Sequence, residues 1–300
     1  RLLAACRATG RRVVIGYQAI FTRTIQTLKT RLLEGKLGRV KSIRVKGGWP
    51  RDDIYYSRNA WAGRLKLEEH WVLDSPINNA FAHDVNNPLY LCGPSLHESA
   101  IPASVQAELY HAHKIESPDT ASLRILTTEG VEIVIALSHV TCEALDPSFI
   151  IHAEKGTVRS TLRSGTTTIA YHDGTEESFD NGGVNADPLP FYNAVEAFRG
   201  QATDLSTPEN ARAQTLCING AHESCPSIAD IPDGLIEEVH ITSLDGRNTR
   251  CLAVRALDDL THRSFEEGKL FSELGADWAQ GTEAFDVTGS EYFPGGKRLR

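Results

Sequence analysis

Apolar positions along the chain change period more than once, and each change marks a change of element. Residues 2–9 (LLAACRAT) are helical in composition and stop at Gly10, a residue that readily ends a helix. Val13, Val14 and Ile15 then run together into Gly16-Tyr17-Gln18, as a buried parallel strand does. Helix, glycine, buried strand is one step of a doubly wound sheet, and such a strand needs neighbours on both sides. The chain is therefore expected to begin inside an α/β domain. Residues 22–34 place Ile25, Leu28, Leu32 and Leu33 at helical spacing and end at Gly35. Residues 40–45 alternate apolar and polar, predicting a half-exposed strand. Residues 49–75, rich in Trp, Tyr, Arg and Asp, show little periodicity and predict a long functional loop. Residues 76–91 predict a helix with Pro76 in its first turn and a kink at Pro88.

From residue 103 the period becomes that of strands. Segments 104–113, 121–127, 131–140, 149–153, 157–162 and 166–171 are bounded by turn signals such as Glu129-Gly130, Lys155-Gly156 and Asp173-Gly174. Short strands joined by tight turns make an antiparallel sheet. Helices are expected over 190–198 and 208–223, the second capped by Thr207 with Pro208 first in the helix. Loop and strand follow over 226–256, then a helix over 257–274 broken at Gly268, then an irregular tail. The fold class is thus the tail end of a Rossmann-type parallel sheet followed by an α+β domain with a large, mainly antiparallel sheet. Its expected divisions are residues 1–20, the end of a dinucleotide-binding domain; 21–256, a substrate and oligomerisation domain; and 257–300, a C-terminal helix and tail.

Composition narrows the partners. No apolar run approaches the roughly 20 residues of a membrane span. A net charge of -8 with no basic stripe argues against nucleic acid, and the terminal Lys297, Arg298 and Arg300 are expected to fray in solvent. The six cysteines have no framework spacing and suit a reducing, cytoplasmic setting. Cys217, His222 and Cys225 lack a fourth ligand, and His111 with His113 lacks a third, so no metal site is expected. An antiparallel sheet with helices on one face needs its other face covered, which predicts a homodimer or homotetramer.

The stretch from Trp71 to Gly93 carries the candidate chemistry. On a helix, Asn79, His83 and Asn86 share one face at i, i+4 and i+7. An imidazole flanked by amides suits proton transfer from a hydroxyl whose neighbours the amides hold. The same residues also read as a helix face that meets solvent or a satisfied core network. Tyr17 and Gln18 end the expected parallel strand, where ligands bind, or else serve a domain interface. Arg58 and Trp61 suit a sugar ring or the anchoring of their own loop. His222 and Asn219 share a face of the 208–223 helix.

Taken in order, Gly16-Tyr17-Gln18, then 34–40 (EGKLGRV), then the segment with Asn79 and His83 resemble the glucose–fructose oxidoreductase/inositol dehydrogenase/MocA (Gfo/Idh/MocA) family. Tyr55-Tyr56, Arg58-Asn59, Trp61-Ala62-Gly63, Asp74-Ser75-Pro76, 219–224 and 270–275 resemble one subgroup of it. The resemblance implies an NAD- or NADP-dependent oxidoreductase that moves a hydride between the cofactor and a sugar, polyol or related hydroxyl substrate. It implies catalytic roles for His83 and Asn79, substrate contacts from Arg58, Trp61, Asp74, Asn86 and His222, and cofactor contacts from Tyr17 and Gln18. Two features depart from the family. Its Glu-Lys-Pro lysine would precede residue 1, together with a Gly-x-Gly-x-x-Gly turn that this chain lacks. Asn79 stands where the family has Asp, and an amide carries no charge. A non-catalytic binding or oligomerisation domain is the alternative these departures support. A metal hydrolase built on His111 and His113 is a distant third.

Overall fold

The computed structural model of the chain describes residues 2–161, 165–180, 182–202, 206–242, 246 and 248–295. Lys297, Arg298 and Arg300 lie outside the described residues, as does Leu162, the expected end of a strand. The elements in chain order begin with α1 (Leu2–Thr9), α2 (Arg23–Leu33), β1 (Val40–Gly48), α3 (Asp53–Ser57), β2 (Lys66–Leu67), β3 (His70–Trp71) and α4 (Ala82–Leu91). Strands β4 (Pro102–His111), β5 (Thr120–Thr127), β6 (Glu132–Ser138), β7 (Leu145–Ala153), β8 (Gly156–Thr161), β9 (Thr166–Tyr171) and β10 (Glu176–Phe179) follow. The rest comprises α5 (Leu189–Phe198), α6 (Pro208–Ser224), β11 (Ala229–Asp230), β12 (Ile236–Thr242), β13 (Asn248–Val254), α7 (Leu257–Glu267) and β14 (Phe285–Asp286).

Ten strands form one mixed sheet in the order β10-β9-β8-β7-β1-β6-β5-β4-β11, with β14 also on β4. Most pairs are antiparallel, but β1 runs parallel to β6 and β11 parallel to β4. Strand β1, expected to be half exposed, lies at the centre between β6 and β7. Its Ile43 and Val45 face the core, while Ser42, Arg44 and Lys46 on the other face are only half-buried. That alternation is the visible trace of a strand with two unlike faces.

The apolar face packs on helices. Ile43, Val105, Leu123, Ile133, Ile135 and Ile151 meet Ile25 and Leu28 of α2, Val85 and Leu89 of α4, and Cys217 and Ala221 of α6 in one cluster. Each such side chain contributes roughly 1.5–3 kcal/mol by leaving water. Gly220 lets α6 sit directly on the sheet, since a Cβ there would lie 2.6 Å from Val287 Cγ1 and 3.0 Å from Val105 Cβ. On the second face Leu257, Leu260, Phe271 and Leu274 close over Ala136 and Tyr110. The beginning of the chain differs from expectation. Residues 13–18 form no strand. They run as a half-buried segment in which Ile15 N–H donates to the Ser206 carbonyl at 2.8 Å. An apolar run pairs as a strand only beside another strand edge, and among the described residues none lies there.

Candidate functional site

Strand β1 ends in Gly47-Gly48, and this pair shapes what lies above it. A Cβ on Gly47 would stand 2.9 Å from Phe81 Cε1 and 3.0 Å from Leu137 Cδ2, so a bare backbone lets the fully buried Phe81 ring approach. Trp49 meets the same ring at 4.3 Å between centroids. These contacts fix the turn over 75–81 against the loop that leaves β1. The helix expected over 76–91 starts only at Ala82. Ahead of it, Asn79 N–H donates to Ser75 O at 3.0 Å, but Phe81 N–H donates to Pro76 O at 2.8 Å. That wider turn breaks the helical register. Asn79 therefore does not share a helix face with His83, contrary to the periodic reading. Beyond the break, α4 continues through Pro88 to Leu91.

Two groups of side chains result. In the first, Asn79 Nδ2 donates to Asp74 Oδ1 at 2.8 Å and approaches the Tyr55 hydroxyl at 3.5 Å. Asp74 is buried, and its other oxygen accepts from Gly63 N–H at 2.7 Å. With its nitrogen committed, Asn79 keeps Oδ1 as an acceptor. The Arg58 guanidinium lies 3.7 Å from the Tyr55 ring centroid and 5.0 Å from that of Trp61. In the second group, the His83 and Tyr17 rings meet edge to face at 5.4 Å, and Gln18 Nε2 reaches Asp187 Oδ1 at 3.5 Å. His83 Nδ1 is buried with no partner among the described residues. Burial pushes the imidazole pKa below its ordinary value, partly offset by Asp187, and burial raises the Tyr17 hydroxyl to about 12. His83 is thus a neutral imidazole whose Nδ1 is enclosed and unpartnered.

The remaining candidates stand apart. Asn86 is 0% exposed, and neither its amide nitrogen nor its oxygen has a partner among the described residues. It faces the interior, because the helix register after the break turns it away from the surface. His222 is buried near the Phe293 ring at 6.3 Å, and burial lowers its pKa to about 4. It bonds to neither group. The histidines weighed as a metal pair separate: His111 Nε2 meets Asp230 at 2.9 Å and His113 Nδ1 meets Asp119 at 2.8 Å. Among the described residues no three metal-ligating side chains gather, and no helix is long and apolar enough to cross a membrane. Tyr55 and Asp187 join these two groups through Asn79 and Gln18, and the periodic pattern does not point to either. Tyr55 stood in the Tyr-Tyr pair of the long loop. For Asp187, remote in sequence, no signal existed.

Beside Gln18 and Asp187 runs a groove of about 480 Å³, walled also by Val14, Ile15, Gly16 and Phe191. Helix α5 next to it leaves Phe191 73% and Phe198 76% exposed. As a test of fit to a dinucleotide, no glycine-rich turn among the described residues opens a helix after a strand, so its phosphates fit nothing here. Tyr17 and Gln18, with His83 against the Tyr17 ring, are the residues left that would hold a part of such a molecule.

No curated protein matches the chain in sequence. Solved structures do match in fold. The WlbA dehydrogenase from Bordetella pertussis, in complex with NADH and UDP-GlcNAcA, superposes with a TM-score of 0.57 at 23% identity, over 74% of this chain and 65% of that one. Aldose-aldose oxidoreductase from Caulobacter crescentus gives 0.56 at 17% identity, over 74% and 65%. A super-repressor mutant of Gal80p from Saccharomyces cerevisiae gives 0.57 at 13% identity, over 73% and 64%. The chain spans just under two thirds of the length of each, and likeness at these identities shows the fold. The sequence of residues 25–159, from α2 to β8, also matches the family model of the GFO/IDH/MocA C-terminal domain. That segment is similar to the C-terminal domain of the GFO/IDH/MocA family.

Proposed function

We propose that this chain is the substrate-binding and catalytic part of an NAD- or NADP-dependent oxidoreductase acting on a sugar, polyol or related hydroxyl compound. Residues 1–20 would close the dinucleotide-binding part, 21–256 would hold substrate and make subunit contacts in a homodimer or homotetramer, and 257–300 would brace the sheet. The observation that carries the reading is the His83 imidazole, neutral and unpartnered at Nδ1, at the junction of residues 13–18 with α4. The NADH held by the WlbA dehydrogenase supports the choice of cofactor, and its UDP-GlcNAcA supports a sugar substrate.

In this reading Tyr17 and Gln18 hold the ring end of the cofactor, which when bound supplies the hydride acceptor or donor. His83 takes the hydroxyl proton or returns it. Asn79 Oδ1 accepts from a neighbouring hydroxyl, its amide fixed by Asp74. Arg58 and Trp61 line the outer side. Asn86 and His222 act only through packing. The setting would be the cytoplasm. Replacing His83 by Ala in the full-length protein should lower turnover by about 100-fold or more, the scale of a positioned acid–base group, and leave cofactor affinity nearly unchanged. Full turnover in that variant would sink the assignment. A second reading, a non-catalytic binding domain, is favoured by the uncharged Asn79 and by the fold shared with Gal80p. It predicts sugar binding without turnover.

A further inference from the structure

The loop leaving β1 carries two guanidinium groups that no carboxylate neutralises. Arg51 lies 4.6 Å from the Tyr55 ring centroid and 5.6 Å from that of Trp49. Arg58 lies over the same Tyr55 ring at 3.7 Å, and its Nη1 donates to the Tyr55 carbonyl. Neither forms an ion pair among the described residues, and Arg51 Nε is buried without a partner. The nearby carboxylates are committed elsewhere. Asp52 caps α3 by accepting from Tyr55 N–H at 2.9 Å and takes the Thr249 hydroxyl at 2.7 Å. Asp74 is held by Asn79 and Gly63. Asp52 and Asp74 keep their charge nearby, but neither reaches a guanidinium as an ion pair. The arginines are felt at His139, which burial keeps neutral with help from Arg51 and Arg58. Two like charges drawn to one ring without a counter-ion are costly unless an anion completes the arrangement.

The position favours a ligand. Trp49 N–H donates to Ser138 O and Arg51 N–H to His139 O, both at 3.0 Å, so the loop starts by extending the parallel pair β1 and β6 past their carboxyl ends. Carboxyl ends of parallel strands are where ligands bind in open sheets. Tyr55, with its hydroxyl 3.5 Å from Asn79 Nδ2, joins the arginine pair to the amide assigned above to a substrate hydroxyl.

We propose that Arg51 and Arg58, gathered on Tyr55, bind a carboxylate or phosphate on the hydroxyl substrate, which makes an acidic sugar derivative the substrate class. Guanidinium forks match both groups in shape and charge. This rests on the reading of the site as one for sugars and narrows it. Calorimetric titration of the chain with D-glucuronate, glucose 6-phosphate and glucose tests it. One acid or both should bind about 10-fold or more tightly than glucose, with the excess shrinking in high salt. The acid that gains identifies the group as carboxylate or phosphate. Arg58→Gln, at an exposed position, should abolish the excess of acid over glucose binding. Arg51→Lys, which keeps the charge but not the fork, should lose part of it. Equal affinity for all three compounds, no measurable binding of either acid, or full preference retained in both variants overturns the proposal. Acid preference without cofactor-linked turnover supports the arginine pair and counts against the oxidoreductase reading. Turnover of neutral sugars without acid preference does the reverse.

Discussion

The two ends of α4 answer the same need in opposite ways. At its carboxyl end Lys29, 0% exposed, donates from Nζ to the carbonyls of Tyr90 and Gly93 at 2.6 Å and approaches that of Leu91 at 3.5 Å. The Tyr90 carbonyl also accepts from Gly93 N–H at 3.1 Å, and the buried ammonium adds a charged donor to the carbonyls that end the helix. Burial lowers the Lys29 pKa to about 8, with Cys92 and Glu98 pulling the other way. At the amino end His83 keeps a buried nitrogen with no partner, beside a groove. Both are buried polar groups near one helix. The satisfied one is architecture. The unsatisfied one carries a cost of roughly 1–3 kcal/mol, and the proposed function gives it a use.

The comparison can be broken at its weakest assumption, that charge at the amino end is kept out. Burial, with Asp146 adding to it, raises the Asp84 carboxyl in the first turn of α4 from its ordinary 3.8 to about 7. The unfolded chain releases that proton near pH 4 and the folded chain near pH 7, so stability falls as pH rises between them. The gap of about three pH units corresponds to at most roughly 4 kcal/mol. Asp84→Asn should match the parent in urea unfolding at pH 4 and exceed it at pH 8. Parallel curves across that range would show that the carboxyl ionises freely.

A smaller effect is expected at the other end. Lys29→Met removes the donors for the helix carbonyls and should cost about 3 kcal/mol of folding stability at pH 7, with sugar binding intact in the folded protein. An unchanged unfolding midpoint would remove the contrast between the two ends. Smaller again is Asn79→Ala, which should weaken substrate binding by about 1–3 kcal/mol while shifting stability little, because the side chain is only half-buried. Loss of stability without loss of binding would mark Asn79 as a brace for Asp74 and the loop.

Much of the chain beyond residue 103 was readable because its elements are local. Capping by Thr207, the glycine stop at Gly268 and the strand period of β5 and β9 depend on neighbours a few residues away, and they fall where expected. The site was less readable. Asn79 and His83 look like one helix face in sequence, and a single wide turn at Phe81 separates them. That turn follows from Gly47 beneath the Phe81 ring, a contact between distant segments.

The sequence by itself determined most of the strands from residue 103 onward and the helices after them, and that a family resemblance runs through them, because capping, turn chemistry and side-chain period act over a few residues. Only the tertiary structure decided that β1 sits between β6 and β7, that residues 13–18 stay unpaired, and that Arg51 and Arg58 converge on Tyr55. Each of these depends on which distant segments meet, and that is set by burying a whole apolar face at once rather than by any local preference.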